Sequence, residues 1–258
     1  MVFVSNLVSA LILAVIQGFT EWLPVSSSGH LVIFEGILGY KGGLEFDVAL
    51  HFGTLMAVFV YFGKEITDIF KDFVSGKLKT DNGKLALFLI VASIPAGIVG
   101  FLLRNFYSTF SDLRVIALGF GITGLLLLIA SLEFKKEDNL SYWKSFLIGI
   151  AQAIAIIPGI SRSGATISSG VLLGLKEREA MKFSFLMSIP VIFGASILSI
   201  GNKTLQPELI LATLVSFVVG LLTIHLMFKF VLVKRKNFRW FGAYCILLAL
   251  VLWFFVFF

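Results

Sequence analysis

Long runs of apolar residues follow one another along the chain, with short charged segments between them. A helix of about 20 apolar residues is long enough to cross the hydrocarbon core of a membrane. Six runs reach this length and predict six membrane-spanning helices, at residues 46–63, 85–103, 113–134, 183–200, 208–228 and 240–257. The pattern therefore predicts an all-α integral membrane protein.

Two further apolar regions are interrupted by polar and turn-forming residues. Residues 7–40 are broken by PVSSSG at 24–29, and residues 145–175 are broken by PGISRSG at 158–164. Each interruption leaves two apolar arms that are too short to span a membrane. Irregular backbone is tolerated at membrane depth only where protein or a water-filled cavity surrounds it. We therefore predict two re-entrant helix–loop–helix hairpins, each of which enters and leaves on one side.

The composition agrees with a membrane protein. Hydrophobic residues make up 58% of the 258 residues and charged residues only 14%, whereas a soluble domain carries roughly 25% charged residues. The single cysteine, Cys245, lies in an apolar run and excludes an intrachain disulfide. The net charge of +6 comes from basic residues between the apolar runs, which indicates membrane topology and no nucleic-acid partner.

The distribution of lysine and arginine predicts the orientation. If both hairpins are re-entrant, segments 64–84, 135–144, 176–182 and 229–239 share one side and hold sixteen basic residues. The other side holds four: Lys41, Arg104, Arg114 and Lys203. Because basic loops remain in the cytoplasm, we expect both termini outside and the first hairpin to enter from the outer face.

The two broken regions also resemble each other. A shift of 135 residues places four residues of the first hairpin on the same residue types in the second: Gln17 on Gln152, Ser26 on Ser161, Ser28 on Ser163, and Gly29 on Gly164. One membrane domain, 1–258, would then contain two repeats, 1–134 and 135–258. Each repeat has one hairpin and three spans, so the second is inverted, and paired interrupted helices indicate a membrane-embedded site.

The first interruption carries residues suited to catalysis. Glu21 lies four residues after Gln17, so both side chains share one helix face. A carboxylate in a membrane segment indicates function because burying its charge is costly. Ser26, Ser27 and Ser28 supply hydroxyls for a nucleophile and for phosphate binding, although capping of the next helix also explains a serine here. His30 is expected to accept a serine proton.

The second interruption carries a permanent positive charge. Arg162 cannot lose its proton and needs an anion at membrane depth. Four neighbours complete a phosphate cradle of hydroxyls and backbone N–H groups: Ser161, Ser163, Gly164 and Thr166. A structural ion pair between Arg162 and Glu21 is the alternative interpretation.

Three other polar residues are interpreted as structural. His51 and His225 each stand alone in an apolar helix and are predicted to be hydrogen-bonded packing residues. Asp47 is predicted to mark the start of a helix rather than to line the cavity.

The two interruptions resemble the motifs of the bacterial undecaprenyl-diphosphate phosphatase family, also known as bacitracin-resistance proteins. The first motif is GFTEWLPVSSSGH at 18–30 and the second is PGISRSGAT at 158–166. Length, motif spacing and hydropathy agree over essentially the whole chain. The resemblance implies hydrolysis of undecaprenyl diphosphate, the lipid carrier of cell-wall precursors, to the monophosphate and inorganic phosphate. It also implies a divalent cation, Mg²⁺ or Ca²⁺.

The resemblance also implies roles for residues. The essential acid, the nucleophile, its proton partner and the phosphate clamp are, in this order, Glu21, Ser27, His30 and Arg162. Ser161 and Thr166 match positions that help to hold the phosphate. Many members have a second glutamate where this chain has Gln17, so the metal site would consist of Glu21 with Gln17 as a neutral oxygen ligand. Phosphoserine formation and direct attack by water both remain open.

Transport is the competing interpretation, because inverted repeats with broken helices also build transporters. The same cradle would then carry a phosphorylated polyprenyl lipid across the membrane without hydrolysis. The set Glu21, Ser27 and His30 favours an enzyme, since transport does not require it. A channel is disfavoured because no span carries a polar stripe. We expect a bacterial cytoplasmic membrane location, a site open to the outer face, contacts with membrane lipids, and compatibility with a homodimer.

Overall fold

The computed structural model describes residues 6–40, 42–103, 112–132, 139–198, 207–231 and 234–257. These residues form eleven α-helices and no strand. In chain order the helices are α1 Asn6–Thr20, α2 Ser27–Leu38, α3 Gly43–Tyr61, α4 Gly63–Val74, α5 Asp81–Leu103, α6 Leu113–Ala130, α7 Tyr142–Ile154, α8 Arg162–Leu172, α9 Glu177–Leu198, α10 Pro207–Leu226 and α11 Phe238–Phe257. A π-helical turn, Met227–Val231, and a 3₁₀ turn, Arg235–Asn237, lie between α10 and α11.

Six of these helices are long and apolar enough to cross a membrane: α3, α5, α6, α9, α10 and α11. The predicted all-α fold with six spans is therefore confirmed, and the chain is a multi-pass membrane protein. The helices α5 and α9 begin four and six residues before the predicted spans, at Asp81 and Glu177. Carboxylates are favourable in the first turn of a helix, so both helices extend beyond their apolar stretch.

The two interrupted regions each form a pair of short helices. α1 has 15 residues and α7 has 13, so they are about 22 and 20 Å long at 1.5 Å per residue. Both are shorter than the roughly 30 Å hydrocarbon core. α1 contacts α2, and α7 contacts α8. The side from which each pair enters the membrane, and the inverted repeat, stay predictions.

Serine caps start the second helix of each pair. The Ser26 hydroxyl accepts from the Gly29 N–H at 3.4 Å, and the Ser161 hydroxyl accepts from the Gly164 N–H at 3.0 Å. Each bond satisfies a backbone donor that a helix N-terminus otherwise leaves without a partner. The capping interpretation given for the first interruption therefore holds for Ser26, and the cap by Ser161 was not predicted.

The short pairs pack against spans from the other half of the chain. α1 contacts α10, and α7 contacts α5, while α3 contacts both α9 and α10. Glycines permit the closest approaches. A Cβ on Gly149 of α7 would lie 2.4 Å from the Ala92 carbonyl oxygen of α5. Small residues let backbones approach in this way in membrane helix bundles, and the packing brings the two interruptions together.

One helix was not apparent from hydropathy. α4 follows α3 after Phe62 and has its charged residues on one side. Ile69 is buried, whereas Phe70 and Val74 are exposed. A short amphipathic helix of this kind is typical of the membrane interface.

Five basic residues used to predict the orientation lie outside the described residues: Lys41, Arg104, Lys135, Lys136 and Lys203.

Candidate active site

A buried ion pair joins the two interruptions. Glu21 lies in the turn after α1, and Arg162 is the first residue of α8. Arg162 Nη2 donates to Glu21 Oε1 at 2.5 Å. The guanidinium carbon also lies 5.2 Å from the ring centroid of the fully buried Trp22, a favourable cation–π contact. The two helix breaks therefore meet through a charge pair inside an apolar protein.

The other oxygen of Glu21 collects three polar partners. Ser27 Oγ donates to Glu21 Oε2 at 2.6 Å, and Gln17 Nε2 donates to it at 3.0 Å. His51 Nε2 of α3 lies 3.5 Å from the same oxygen. A carboxylate can be buried when its oxygens are paired and hydrogen-bonded in this manner. Glu21 is thus the centre of a polar cluster built from α1, α2, α3 and α8.

The three consecutive serines have different surroundings. Ser26 caps α2, and its hydroxyl lies 3.4 Å from that of Ser28. Ser28 lines a cavity. Ser27 is the serine whose hydroxyl contacts Glu21. Of the three, Ser27 therefore has the arrangement of a nucleophile beside a base.

His30 is placed differently from the expectation. Its Nδ1 lies 2.7 Å from the Ser26 carbonyl oxygen, and its Nε2 lies 2.7 Å from the Tyr244 hydroxyl. A histidine on a helix can reach the carbonyl four residues earlier, which turns the ring away from Ser27. The expected Ser27–His30 hydrogen bond is not formed among the described residues. Glu21 occupies that position beside the Ser27 hydroxyl.

The hydroxyls of the second interruption bind protein groups. Ser161 caps α8 and lies 3.2 Å from the Ser163 hydroxyl. The Ser163 hydroxyl donates to the Leu23 carbonyl at 2.9 Å, which ties the two interruptions together. Thr166 donates to the Arg162 carbonyl at 2.8 Å.

These contacts leave little of the predicted cradle open. The Gly164 N–H is taken by the Ser161 cap, and the Thr166 hydroxyl also contacts that of Ser184 at 2.6 Å. Ser161, Ser163 and Thr166 are each 1% exposed. Arg162 itself therefore presents the donors of the second interruption to the cluster.

A cavity of about 170 Å³ adjoins the cluster. Its lining includes Ser28, His51 and Pro158, and two carboxylates, Glu35 and Asp47. Asp47 Oδ1 and Glu35 Oε1 are buried and have no hydrogen-bond partner within the described part of the chain. The cavity connects the first interruption to the second through Ser28 and Pro158.

Two residues interpreted as structural therefore belong to the site. His51 was expected to be a hydrogen-bonded packing residue; its Nδ1 does lie 2.7 Å from the Asp47 carbonyl oxygen, but its Nε2 contacts Glu21. Asp47 was expected to mark a helix start, yet it lines the cavity four residues before His51, and this spacing places both side chains on one face of α3. His225 was also expected to be a hydrogen-bonded packing residue, but it is exposed and its side chain has no hydrogen bond among the described residues. Its ring lies edge-on to Tyr61 at 6.3 Å between centroids.

Glu35 was missed altogether. It is a carboxylate in a short apolar helix, which is the same signal that singled out Glu21. Tyr244 was also missed, and nothing in its local sequence distinguishes it from the other aromatic residues of α11.

Two oxygen-bearing side chains of the cluster were predicted to bind a metal ion, Glu21 and Gln17. Gln17 Oε1 is buried and has no hydrogen-bond partner among the described residues, while its amide nitrogen holds Glu21. Within those same residues, no three His, Cys, Asp or Glu side chains form a closed metal site. Mg²⁺ typically takes one or two protein carboxylates and draws other ligands from substrate phosphates. Gln17 Oε1 is open to such a cation, whereas both oxygens of Glu21 already have protein partners.

Fold and site together define a class: a multi-pass membrane protein with a serine, a carboxylate and an arginine clustered between two helix breaks. Residues 10–251 match the family described as "Bacitracin resistance protein BacA". The chain belongs to this family.

Relatives of similar length support the assignment. The chain is 39% identical over 252 residues to the undecaprenyl-diphosphatase of Methanococcus vannielii, which covers 95% of this chain and 99% of the relative. It is 41% identical over 243 residues to the undecaprenyl-diphosphatase of Thermosipho melanesiensis, covering 93% and 96%. The undecaprenyl-diphosphatase of Caldicellulosiruptor bescii is 42% identical over 254 residues, covering 94% and 95%.

Proposed function

We propose that this protein hydrolyses undecaprenyl diphosphate to undecaprenyl phosphate and inorganic phosphate. The observation that carries the proposal is the contact of the Ser27 hydroxyl with Glu21, whose other oxygen pairs with Arg162. Membership of the bacitracin resistance family and the names of its relatives support the same activity. The product is the lipid carrier of peptidoglycan synthesis, so the reaction recycles that carrier for cell-wall growth and confers bacitracin resistance.

Ser27 is the nucleophile of this proposal. Glu21 Oε2 takes the Ser27 proton as Oγ bonds to the terminal phosphorus. The bond from that phosphorus to the bridging oxygen breaks, and the lipid monophosphate leaves with that oxygen. Water then cleaves the phosphoserine ester, which releases inorganic phosphate and restores the hydroxyl. The 2.6 Å contact between Ser27 and Glu21 suits the first proton transfer.

Arg162 stabilises the charge that moves to the phosphoryl oxygens. A guanidinium has five N–H donors, and those on Nη1 make only a long contact, 3.4 Å, to the Ser184 carbonyl. Donors therefore remain for a phosphate, and the guanidinium packs on the Trp22 ring. Such positioned donors are the main contribution of protein to phosphoryl transfer.

A divalent cation, Mg²⁺ or Ca²⁺, is the proposed cofactor. Glu21 and Gln17 would hold it, together with oxygens of the diphosphate. The bound cation would neutralise phosphate charge during the transfer. A single protein carboxylate suits a cation that binds together with the substrate.

The proposed location is the cytoplasmic membrane, with the site open to its outer face and both termini outside. The bias of sixteen basic residues against four supports this orientation. The proposed arrangement of two inverted repeats is supported by the interrupted helices at corresponding positions of the two halves. A homodimer stays a prediction.

The deciding experiment measures phosphate released from undecaprenyl diphosphate by purified protein in detergent with Mg²⁺. We expect turnover by the native protein and none above background by Ser27→Ala. A matched control is Ser216→Ala, which alters a buried serine of α10 that donates to the Leu50 carbonyl, outside the cluster. If the native protein releases no phosphate but moves the lipid headgroup across a vesicle membrane, the transporter interpretation replaces this proposal.

A further inference from the structure

The turn before Ser27 has an unusual backbone. Ser26 has φ 67° and ψ 97°, and among the described residues it is the one non-glycine residue with a positive φ. Side chains disfavour this region, and such conformations persist only where surrounding contacts impose them. The contacts that hold Ser26 in this conformation also affect the proposed nucleophile, because Ser27 is the next residue.

The Ser26 carbonyl is held by His30. A carbonyl oxygen can only accept, so the 2.7 Å contact to His30 Nδ1 places a proton on that nitrogen. In the neutral ring Nε2 is then an acceptor, and the Tyr244 hydroxyl donates a hydrogen bond to it at 2.7 Å. The chain of bonds runs from Tyr244 through His30 to the backbone of Ser26.

The His30 ring is fixed on two sides. Its plane lies within 11° of that of Tyr244, with 5.8 Å between ring centroids. It meets the edge of Phe120 from α6 at 5.3 Å and 86°. The ring is 4% exposed. Both ring nitrogens have hydrogen-bond partners and the ring packs against Phe120, so His30 has little freedom to move toward Ser27.

We propose that Tyr244 is a positioning residue for the reaction. Its hydroxyl orients His30, which locks the left-handed turn at Ser26 and so holds the Ser27 hydroxyl against Glu21. His30 acts in this chain through the backbone of Ser26 and does not take the Ser27 proton. The inference rests on the proposed hydrolysis. It means that α11, the last helix of the chain, helps to position the nucleophile.

Tyr244→Phe tests the inference by removing one oxygen. We expect kcat to fall about 10- to 100-fold, since small misplacements of reacting groups cost this much. KM should change little, because the phosphate donors of Arg162 remain. Tyr142→Phe is the matched control, since Tyr142 lies on α7 and packs its ring on Phe88. Native kcat in Tyr244→Phe would overturn the proposal.

A second background separates positioning from general damage. Glycine adopts a positive φ without steric cost. In Ser26→Gly the turn therefore depends less on the hydrogen bond from His30. Adding Tyr244→Phe to Ser26→Gly should therefore lower kcat by a smaller factor than adding it to the native protein. Equal factors in the two backgrounds, together with a lower Tm for Tyr244→Phe, would show a purely structural residue and overturn the proposal.

His30 itself separates the two roles. Asparagine can place an amide N–H near the position of Nδ1 and keep the bond to Ser26, but it cannot serve as a base. His30→Asn should thus retain more activity than His30→Ala. If both variants are equally inactive and Tyr244→Phe is native-like, His30 acts as the proton acceptor and the positioning role fails.

Hydrogen exchange gives a readout that does not need the reaction. In Tyr244→Phe, amides in a peptide covering residues 21–31 should exchange faster, because the Gly29 and His30 N–H groups both bond to Ser26. A peptide covering 156–166 should not change. Unchanged exchange at 21–31 in Tyr244→Phe would refute the proposed positioning role, whatever the activity of the protein. If the native protein shows no phosphatase activity, only the proposed hydrolysis is refuted.

Discussion

Arg162 makes a contact at the residue scale that depends on shape as well as charge. Its planar fork pairs with Glu21 and lies over Trp22, and lysine offers neither a planar fork nor two parallel donors. Arg162→Lys should therefore reduce kcat by about 100-fold or more, as the loss of a transition-state donor does. The measurement is phosphate release at saturating lipid.

A control for this substitution is available on α11. Arg239 lies over the ring of Trp240 at 5.0 Å, so Arg239→Lys makes the same chemical change away from the cluster and should be silent. Near-native turnover in Arg162→Lys would mean that Arg162 is only the counter-charge of Glu21, which was the alternative interpretation of the sequence.

Gln17 is the residue that decides how much charge the metal site carries. Gln17→Glu would place a second carboxylate one helical turn from Glu21. A bound cation offsets the repulsion between them, so the variant should bind Mg²⁺ more tightly, both by calorimetric titration and as a lower Mg²⁺ concentration for half-maximal activity. Glu21→Gln should be nearly inactive. Equal Mg²⁺ affinity in Gln17→Glu and native protein would remove Gln17 from the proposed ligands.

The limits of prediction are clearest at single residues. Glu21 and Arg162 could be identified from sequence because a charge in an apolar segment needs a reason. His51 could not, since its neighbours in sequence are apolar and only the packing of α3 brings it to Glu21. Tyr244 meets His30 from 214 residues away, and no local pattern encodes such a contact.

At the scale of helices, close approach between α5 and α7 sets the position of the second interruption. Gly149→Ala would put a methyl group 2.4 Å from the backbone oxygen of Ala92, which cannot move as a side chain could. We expect a loss of about 1–3 kcal/mol in stability, typical of overpacking, measured as a lower Tm in detergent.

The control is another glycine in the same pair of helices. A Cβ on Gly97 of α5 would meet no atom within 4 Å, so Gly97→Ala should be neutral or slightly stabilising through helix propensity. If both variants behave alike, the approach of α7 to α5 is looser than the structure shows.

The helices themselves were predictable to a different degree. The six spans follow from hydrophobic length, because apolar surface must reach across the lipid. Their ends shift where polar first turns extend beyond the apolar run, as at Asp81 and Glu177. α4 is too short and too polar for the same criterion, and its single buried residue, Ile69, gives no signal without its neighbours.

At the scale of the whole molecule, the charge bias and the two interruptions predict one orientation. The fold positions the interruptions so that Glu21 and Arg162, 141 residues apart, make one ion pair. The sequence repeat indicated that the two interruptions meet, since interrupted helices at corresponding positions of two inverted halves reach the same depth. The roles of the hydroxyl residues around this ion pair could not be predicted, because serines that bond to the backbone and serines that face the site look alike in sequence.

The orientation and the second hairpin can be tested together by labelling single cysteines in intact cells, with the buried Cys245 replaced by alanine. Asp112, before α6, and Lys79, before α5, are exposed and lie on opposite predicted sides. Asp112→Cys should react with an impermeant thiol reagent, and Lys79→Cys should react only after the cells are opened.

Trp143, at the start of α7, and Lys176, after α8, flank the second hairpin and are both exposed. If α7 and α8 are re-entrant, both positions lie in the cytoplasm, and Trp143→Cys and Lys176→Cys should be protected alike. Labelling of one and not the other would mean that the pair spans the membrane. The basic segments before and after the pair would then lie on opposite sides, and the bias of sixteen against four would be lost. Labelling of Lys79→Cys with protection of Asp112→Cys would instead invert the molecule and place hydrolysis of the lipid diphosphate on the cytoplasmic side.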